Sequence, residues 1–356
     1  MHKHDYNYIQ SGKASVLIDG QFGSTGKGLL AAYLAAQPQN EVNIATTNAS
    51  ANAGHWTKSE NVADWNFCCF HLPTFGVIQP DSMIYINAGA IINPTLLFEE
   101  IDSCNVDPER IMIHPNATVI EQKDIDAEMR ESSKATEISS TRKGVGMALA
   151  RKIMRTADVA KDCPQLEPFI KQINLNQTLM MGAKVSVEVP QGYSLSLNGP
   201  FYPYTTSRNC TVAQGLSDAS IHPSFLGKVA MSVRTYPIRV GSIPHLGYSG
   251  DVYDDQEEIT FEDLGVEEEL TTVTKRVRRI FTWSYSQYCD AISENRPALT
   301  FLNFCNYGDN WREIIDQIKH ASDDVLAYNQ EILTGWGPNV EDVRPLDDRT
   351  MDEYDA

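Results

Sequence analysis

Val16-Leu17-Ile18-Asp19-Gly20-Gln21-Phe22-Gly23-Ser24-Thr25-Gly26-Lys27-Gly28-Leu29-Leu30-Ala31-Ala32-Tyr33-Leu34 reads as a short apolar strand, a glycine-rich turn and the opening of a helix. Glycines let backbone approach a ligand closely, the first helical turn offers unpaired N–H donors, and Lys27 adds a positive charge, so the segment predicts an anion site of the kind that holds nucleotide phosphates. It is not the common phosphate loop: Gln21 stands where that pattern has its first glycine, and Gly28 where it has its Mg²⁺-binding hydroxyl. A glycine turn before a helix would account for the glycines alone, so the rest of the chain has to decide.

The chain has 356 residues, with 29 basic against 47 acidic residues and a net charge of −18. That balance opposes nonspecific binding to nucleic acid or an anionic membrane, so any phosphate must meet a local positive site. Seven cysteines, with no Cys-x-x-Cys pair, fit a reduced compartment better than a disulfide framework. The start, Met1-His2-Lys3-His4-Asp5-Tyr6, lacks an apolar core of signal-peptide length, and no apolar run is long enough to span a bilayer. The expectation is a cytoplasmic protein.

Short β-rich runs recur between helical stretches: Val42 to Thr46, Met83 to Asn87, Arg110 to His114, Val185 to Val189, Val229 to Val233 and Ala298 to Phe304. The alternation predicts an α/β fold, one large domain over 1–356 whose central, mostly parallel sheet is flanked by helices. Val185, Val187 and Val189 alternate with Ser186 and Glu188, as in a strand with one buried face. The run stops at Pro190, which delivers Gln191 at a strand end, where α/β sheets place their binding crevice. Trp311, Ile314, Ile315 and Ile318 form the stripe of an amphipathic helix, and core packing explains them. Asp251 to Glu269 carries ten carboxylates, and an acidic tail over 341–356 reads as a solvated end.

Three further segments carry chemistry. Asn48-Ala49-Ser50-Ala51-Asn52-Ala53-Gly54-His55 is small and polar, so it lets a ligand come close, and its histidine can donate to transferring oxygens. Ser139-Ser140-Thr141-Arg142-Lys143-Gly144-Val145-Gly146 interrupts two helical stretches and reads as a second anion-binding loop. Thr271-Thr272-Val273-Thr274-Lys275-Arg276-Val277-Arg278-Arg279 places four cations in five positions after the acidic stretch. It is either a basic face paired with those acids or a site for carboxylates, which guanidinium forks bind bidentately.

Together these segments resemble adenylosuccinate synthetase, the family that joins aspartate to a purine 6-position at the expense of a nucleoside triphosphate. The matches run in order along nearly the whole chain: Gly23 to Gly28, Asn52-Ala53-Gly54-His55, Ser140-Thr141 with Arg155, Gln191-Gly192, Tyr202-Pro203-Tyr204-Thr205-Thr206-Ser207, Tyr236-Pro237-Ile238-Arg239-Val240-Gly241 and Thr274 to Arg279. The resemblance implies catalytic roles for Ser24, Lys27, His55 and Gln191. For the triphosphate it implies contacts from Ser24, Thr25, Gly26, Lys27, Gly28, Leu29, Gly54, His55, Thr57, Arg278, Asn303, Gly335 and Gly337. For the purine monophosphate it implies Ser24, Asn52, Ser140, Thr141, Arg155, Gln191 and Thr206, with Arg155 supplied by a neighbouring subunit of a homodimer. Thr272, Val273, Thr274, Arg276 and Arg278 would grip L-aspartate, and Mg²⁺ would be held at Ser24 and Gly54.

Two departures from the family pattern refine the expectation. Where the family has an aspartate that takes the N1 proton and helps to hold Mg²⁺, this chain has Ser24, whose hydroxyl is no ordinary base at neutral pH. Leu299-Thr300-Phe301-Leu302-Asn303 is similar to the family's Leu-Thr-Lys-Leu-Asp, whose aspartate accepts two hydrogen bonds from guanine; an amide offers one acceptor and one donor, which suits adenine. Both changes resemble the phage-type branch of the family, the 2-aminoadenylosuccinate synthetases, which implies dGMP as acceptor and ATP or dATP as donor. A short Ser24 leaves room beside C2 for the amino group of guanine. An ordinary synthetase acting on IMP and a nucleotide-binding regulator without turnover are the alternatives.

Overall fold

The computed structural model describes residues 7–271 and 275–346. The opening segment forms a strand, β1 (Ala14–Asp19), a turn and a helix, α1 (Lys27–Ala35). Seven further strands run parallel to β1 or to one another: β2 (Ile44–Thr47), β3 (Met83–Ile86), β4 (Ile111–Ile113), β5 (Val185–Glu188), β6 (Leu226–Arg234), β7 (Leu299–Asn303) and β8 (Glu331–Gly335). β9 (Val343–Pro345) closes one edge antiparallel to β8. The order is β9-β8-β7-β6-β1-β5-β2-β3-β4, so β1 sits in the interior of a nine-stranded sheet.

Both faces of that sheet are covered. Along β1, Val16 and Ile18 enter a core with Val187, Met231, Val233 and the stripe of the helix Trp311–Ala321, whereas Leu17 enters the opposite core with Leu29 to Ala35, Ala230 and Phe301. Two-sided burial is what a parallel sheet requires, because its crossover helices lie on its faces. Each of the six expected β runs overlaps a strand of this sheet. β5 departs from expectation in one respect: Ser186 and Glu188 are as buried as the valines between them. The alternation predicted one wet face, but β5 lies between β1 and β2 under a second layer, and Glu188 accepts from the Phe75 N–H at 2.8 Å.

Two strands on one side of the sheet went unread, β8 and the edge strand β9. β8 lacks flanking glycine or proline signals on its N-terminal side, and β9 falls inside the segment read as an acidic tail. Residues 341–346 are not a frayed end: Glu341 accepts from Ser59 and Asn61, and Val343 pairs with Gly335. The rest of that tail lies outside the described residues.

The segments that begin at Gly20, Asn48 and Gln191 follow the carboxyl ends of β1, β2 and β5. α1 packs against a hairpin strand, His55–Lys58, and the contact decides the identity of residue 28. A Cβ on Gly28 would stand 2.9 Å from the Trp56 carbonyl oxygen and 3.0 Å from His55 Cβ. The hydroxyl of the common phosphate loop is thus missing because the hairpin occupies its space. Gly28→Ser is expected to lower the unfolding free energy by about 1–3 kcal/mol, measured by urea denaturation followed by circular dichroism.

Candidate active site

The turn after β1 is organised by one carboxylate. Asp19 accepts from the N–H groups of Gln21 (2.9 Å), Gly23 (3.3 Å) and Thr25 (3.3 Å) and from Thr25 Oγ1 (2.6 Å). Gln21, in place of a glycine, exchanges two hydrogen bonds with the Arg234 backbone at the end of β6 and so fastens the turn to the sheet. Gly23, Ser24 and Gly26 all have positive φ, and a Cβ on Gly26 would fall 2.0 Å from Asn303 Nδ2. No side chain caps the start of α1; its N–H groups face the cavity that the turn lines. The ammonium of Lys27 is buried and donates to the Val189 carbonyl. Burial pushes Lys27 down and Asp19 up, and their mutual attraction opposes both shifts.

A cavity with these residues on one wall carries Asn52, Gly54 and His55 on the next, with Thr141, Gln191 and Arg278 completing it. Gln191, at positive φ, donates to Asn52 Oδ1 at 3.1 Å. The chain can turn so tightly there because residue 192 is glycine: its Cβ would lie 2.2 Å from the Gly23 nitrogen. Burial, and then Lys27, lower the His55 imidazole well below its ordinary value, so it is neutral at pH 7. Arg278 donates to Ser24 Oγ at 2.6 Å. A guanidinium has no acceptor, so Ser24 Oγ accepts in that bond and its own O–H remains to donate into the cavity.

A second, more apolar cavity adjoins the first through Gly26, Trp56 and Phe304 and is lined also by Leu29, Lys58, Asn303, Tyr307, Gly337 and Pro338. Leu29, Asn303 and Gly337, three of the residues expected at the triphosphate, line it together. Gly335 lies behind Asn303, where a Cβ would meet Asn303 Oδ1 at 2.2 Å. The Asn303 amide donates to the Thr25 carbonyl at 3.1 Å and accepts from the Phe304 N–H, so one donor and one acceptor site of its side chain remain.

Other expected contacts fall elsewhere. Thr57 is fully buried in the hairpin strand and lines neither cavity. Ser140, Arg155 and Thr206 are also not on the cavity wall; Arg155 is exposed at the end of the helix Val145–Ile153. Arg276 does not face the cavity: it donates to the Ser139 and Ser140 carbonyls at 2.8 and 3.2 Å and thereby holds the loop that bears Thr141. That loop is only half an anion site, since the helix end after it is taken by Glu128, whose carboxylate accepts from the Gly144 and Met147 N–H groups. The basic run also pairs with the acids before it, Arg279 with Glu258 and Arg278 with Glu269. Thr272, Val273 and Thr274 lie outside the described residues.

The sequence reading missed Trp56, Arg234, Glu269, Phe304 and Tyr307. Arg234 and Phe304 end or follow predicted strands, and the strand-end logic applied to Gln191 would have found them. Glu269 was hidden as one carboxylate among ten. Among the described residues no group of His, Cys, Asp and Glu side chains could hold a metal ion, and no helix is long and apolar enough to cross a membrane. All seven cysteines are free thiols.

A parallel sheet with a lysine-bearing glycine turn at its carboxyl edge, opening on two joined cavities, defines an enzyme that uses a nucleoside triphosphate. The sequence signature of adenylosuccinate synthetase matches residues 16–174 and 156–302. The chain belongs to the adenylosuccinate synthetase family. It is 37% identical to the N6-succino-2-amino-2'-deoxyadenylate synthase of Salmonella phage PMBT28 over 93% of this chain and 97% of that one. It is 38% identical to the enzyme of the same name from Vibrio phage phiVC8, over 94% and 98%. The structure of the cyanophage S-2L succinoaminodeoxyadenylate synthetase bound to dGMP and dATP superposes with a TM-score of 0.82 at 33% identity, covering 96% of this chain and 97% of that one.

The neutral state of His55 is open to measurement. In the ligand-free protein the imidazole resonance that disappears in His55→Asn should keep its position from pH 8 to pH 6, because protonation begins only well below the ordinary histidine value; a midpoint near 6.5 would contradict the assignment.

Proposed function

We propose that the protein joins L-aspartate to the 6-position of dGMP with ATP or dATP as donor, giving 2-amino-2'-deoxy-N6-succinyladenylate. The observation that carries this reading is the likeness, over nearly the whole chain, to phage synthases named for that product. Ser24 at the family's aspartate position agrees with it, since a short neutral side chain leaves space for a purine 2-amino group.

Two displacements compose the reaction. O6 of dGMP attacks the γ-phosphorus and ADP leaves; the amine of aspartate then attacks C6 and phosphate leaves, with the N1 proton and an amine proton lost along the way. Lys27, the N–H groups of the turn that Asp19 leaves free and the open end of α1 stabilise the transferring phosphoryl group. Neutral His55 donates to its oxygens, and Gln191, fixed by Asn52, meets the base near its 6-oxygen. The hydroxyl of Ser24 donates into the same space. The second cavity takes the donor's purine against Phe304, with the remaining amide sites of Asn303 toward adenine. Thr141 holds the 5'-phosphate; Thr206, Ser140 and a neighbour's Arg155 join it in a homodimer. Thr272, Val273, Thr274 and Arg278 grip aspartate, and Arg276 contributes through the loop it holds.

The donor set for Mg²⁺ is one hydroxyl, Ser24, and the main chain at Gly54, because the oxygens of Asp19 are already engaged by its own turn. Such a set fits an ion that arrives on the triphosphate with its waters, where it would neutralise charge on the transferring group. With host cytoplasm as the setting, both nucleotides and aspartate are at hand.

The test is a phosphate-release assay with aspartate, in which dGMP, GMP and IMP are each paired with ATP and GTP. Fastest release is expected from dGMP with ATP; equal or faster turnover of IMP would make the ordinary synthetase the better reading. His55→Ala should lower kcat by about 10²–10³-fold while ATP binding, followed by calorimetry, stays nearly unchanged.

A further inference from the structure

Between the two cavities lies an ion pair that none of the expected ligand contacts uses. Arg234, at the end of β6, is fully buried. Both terminal nitrogens of its guanidinium reach Glu269, Nη1 at 3.1 Å. Nη1 also donates to the Ser24 carbonyl at 3.2 Å, and the guanidinium carbon lies 3.8 Å from the centroid of the Phe304 ring. The Tyr307 hydroxyl donates to Glu269 Oε1 at 2.9 Å. Phe304 and Tyr307 line the second cavity. On the other side Glu269 lines the first, with Oε2 3.8 Å from Arg278 Nε, and Arg278 holds Ser24 Oγ.

Among the described residues Glu269 is the one carboxylate besides Asp19 on the wall of the first cavity, which invites the role of proton acceptor left open by Ser24. Its surroundings refuse that role. Both oxygens are already engaged, and although burial alone would raise it, Arg234 and Arg278 hold its carboxyl below the usual range, so it is a poor base. What it does hold is geometry. Arg234 and Arg278 are like charges facing one another across Glu269, and burial lowers the Arg278 guanidinium to about 10, with Glu269 opposing that shift. Without the carboxylate the two guanidinium groups repel, and Arg278 loses the ion pair that, with the Leu270 carbonyl accepting from its Nε at 3.3 Å, aims it at Ser24.

We infer that Glu269 is a positioning residue: it fixes Arg278, and through it the Ser24 hydroxyl, while Arg234, Phe304 and Tyr307 tie that arrangement to the purine cavity. The inference rests on the two-cavity reading of the site, but not on which monophosphate is used. A misplacement of about 1 Å in such an arrangement costs about 10²-fold in rate.

The test is a mutant cycle on the full chain, assayed with the 6-oxopurine monophosphate that the unmodified enzyme uses fastest. Glu269→Gln should lower kcat by about 10²-fold with little change in KM for the monophosphate, and thermal unfolding should remain cooperative. In a Ser24→Ala background the same change should cost less than about tenfold, because both substitutions interrupt one chain of contacts. Equal losses in the two backgrounds, or an unchanged kcat, would overturn the inference. If Glu269→Gln fails to fold, Tyr307→Phe carries the cycle, with about a tenfold loss expected and the same non-additivity required. Preference for IMP over dGMP would overturn the substrate reading alone; an unmodified enzyme that turns over none of the three would overturn both.

Discussion

Asp19 is the constraint on which the site depends. One buried carboxylate accepts three main-chain N–H groups and a hydroxyl from the six residues that follow it, and a turn with Gly23, Ser24 and Gly26 all at positive φ could not persist without such a fixed partner. Because Asp19 ends an interior strand, the turn inherits the rigidity of the sheet. Because the same carboxylate lies near Lys27, it also offsets the cost of burying an ammonium where phosphate is to be received. The strongly acidic chain thus keeps a positive site by surrounding it with its own structure.

Close approach is the second theme. Gly26 against Asn303, Gly28 against the Trp56 carbonyl and Gly192 against the Gly23 nitrogen are three places where a single Cβ would enter another group's volume. Each joins two segments far apart in sequence: the turn to β7, α1 to the hairpin after β2, and the end of β5 to the turn. These contacts bring the ends of β1, β2, β5 and β7 to one crevice, as expected where strand order reverses about the first strand of a parallel sheet. Ser24 differs in kind, since its positive φ is held by Arg234 and Arg278, one on its carbonyl and one on its hydroxyl.

Much of this was legible in the chain. Periodicity and turn chemistry gave the strands, the anion turn and the core helix, because those signals are local: an apolar run, a glycine, a 3.6-residue stripe. The ordered motifs gave the family and most of the wall of the first cavity. Where the reading failed, a distant segment had decided the matter. Glu188 is buried because β2 and the segment bearing Phe75 cover it, Glu128 fills the helix end that looked open, and Arg276 turns to two carbonyls of another loop. Glu341 and Val343 belong to the sheet because β8 and the loop at Ser59 receive them.

The sequence by itself determined the class of chemistry, through Lys27 in its glycine turn, and the departure from the family's common pattern, through Ser24 and Asn303. Residue identity fixes which protons and lone pairs exist, and that needs no coordinates. Tertiary structure alone decided where those groups point: that the hydroxyl of Ser24 is held by Arg278, that part of the Asn303 amide is spent on the Thr25 carbonyl, and that Glu269 stands between two arginines. Hydrogen bonds and Coulomb attraction act over a few ångströms, and residues hundreds of positions apart come within that range only when the sheet has formed.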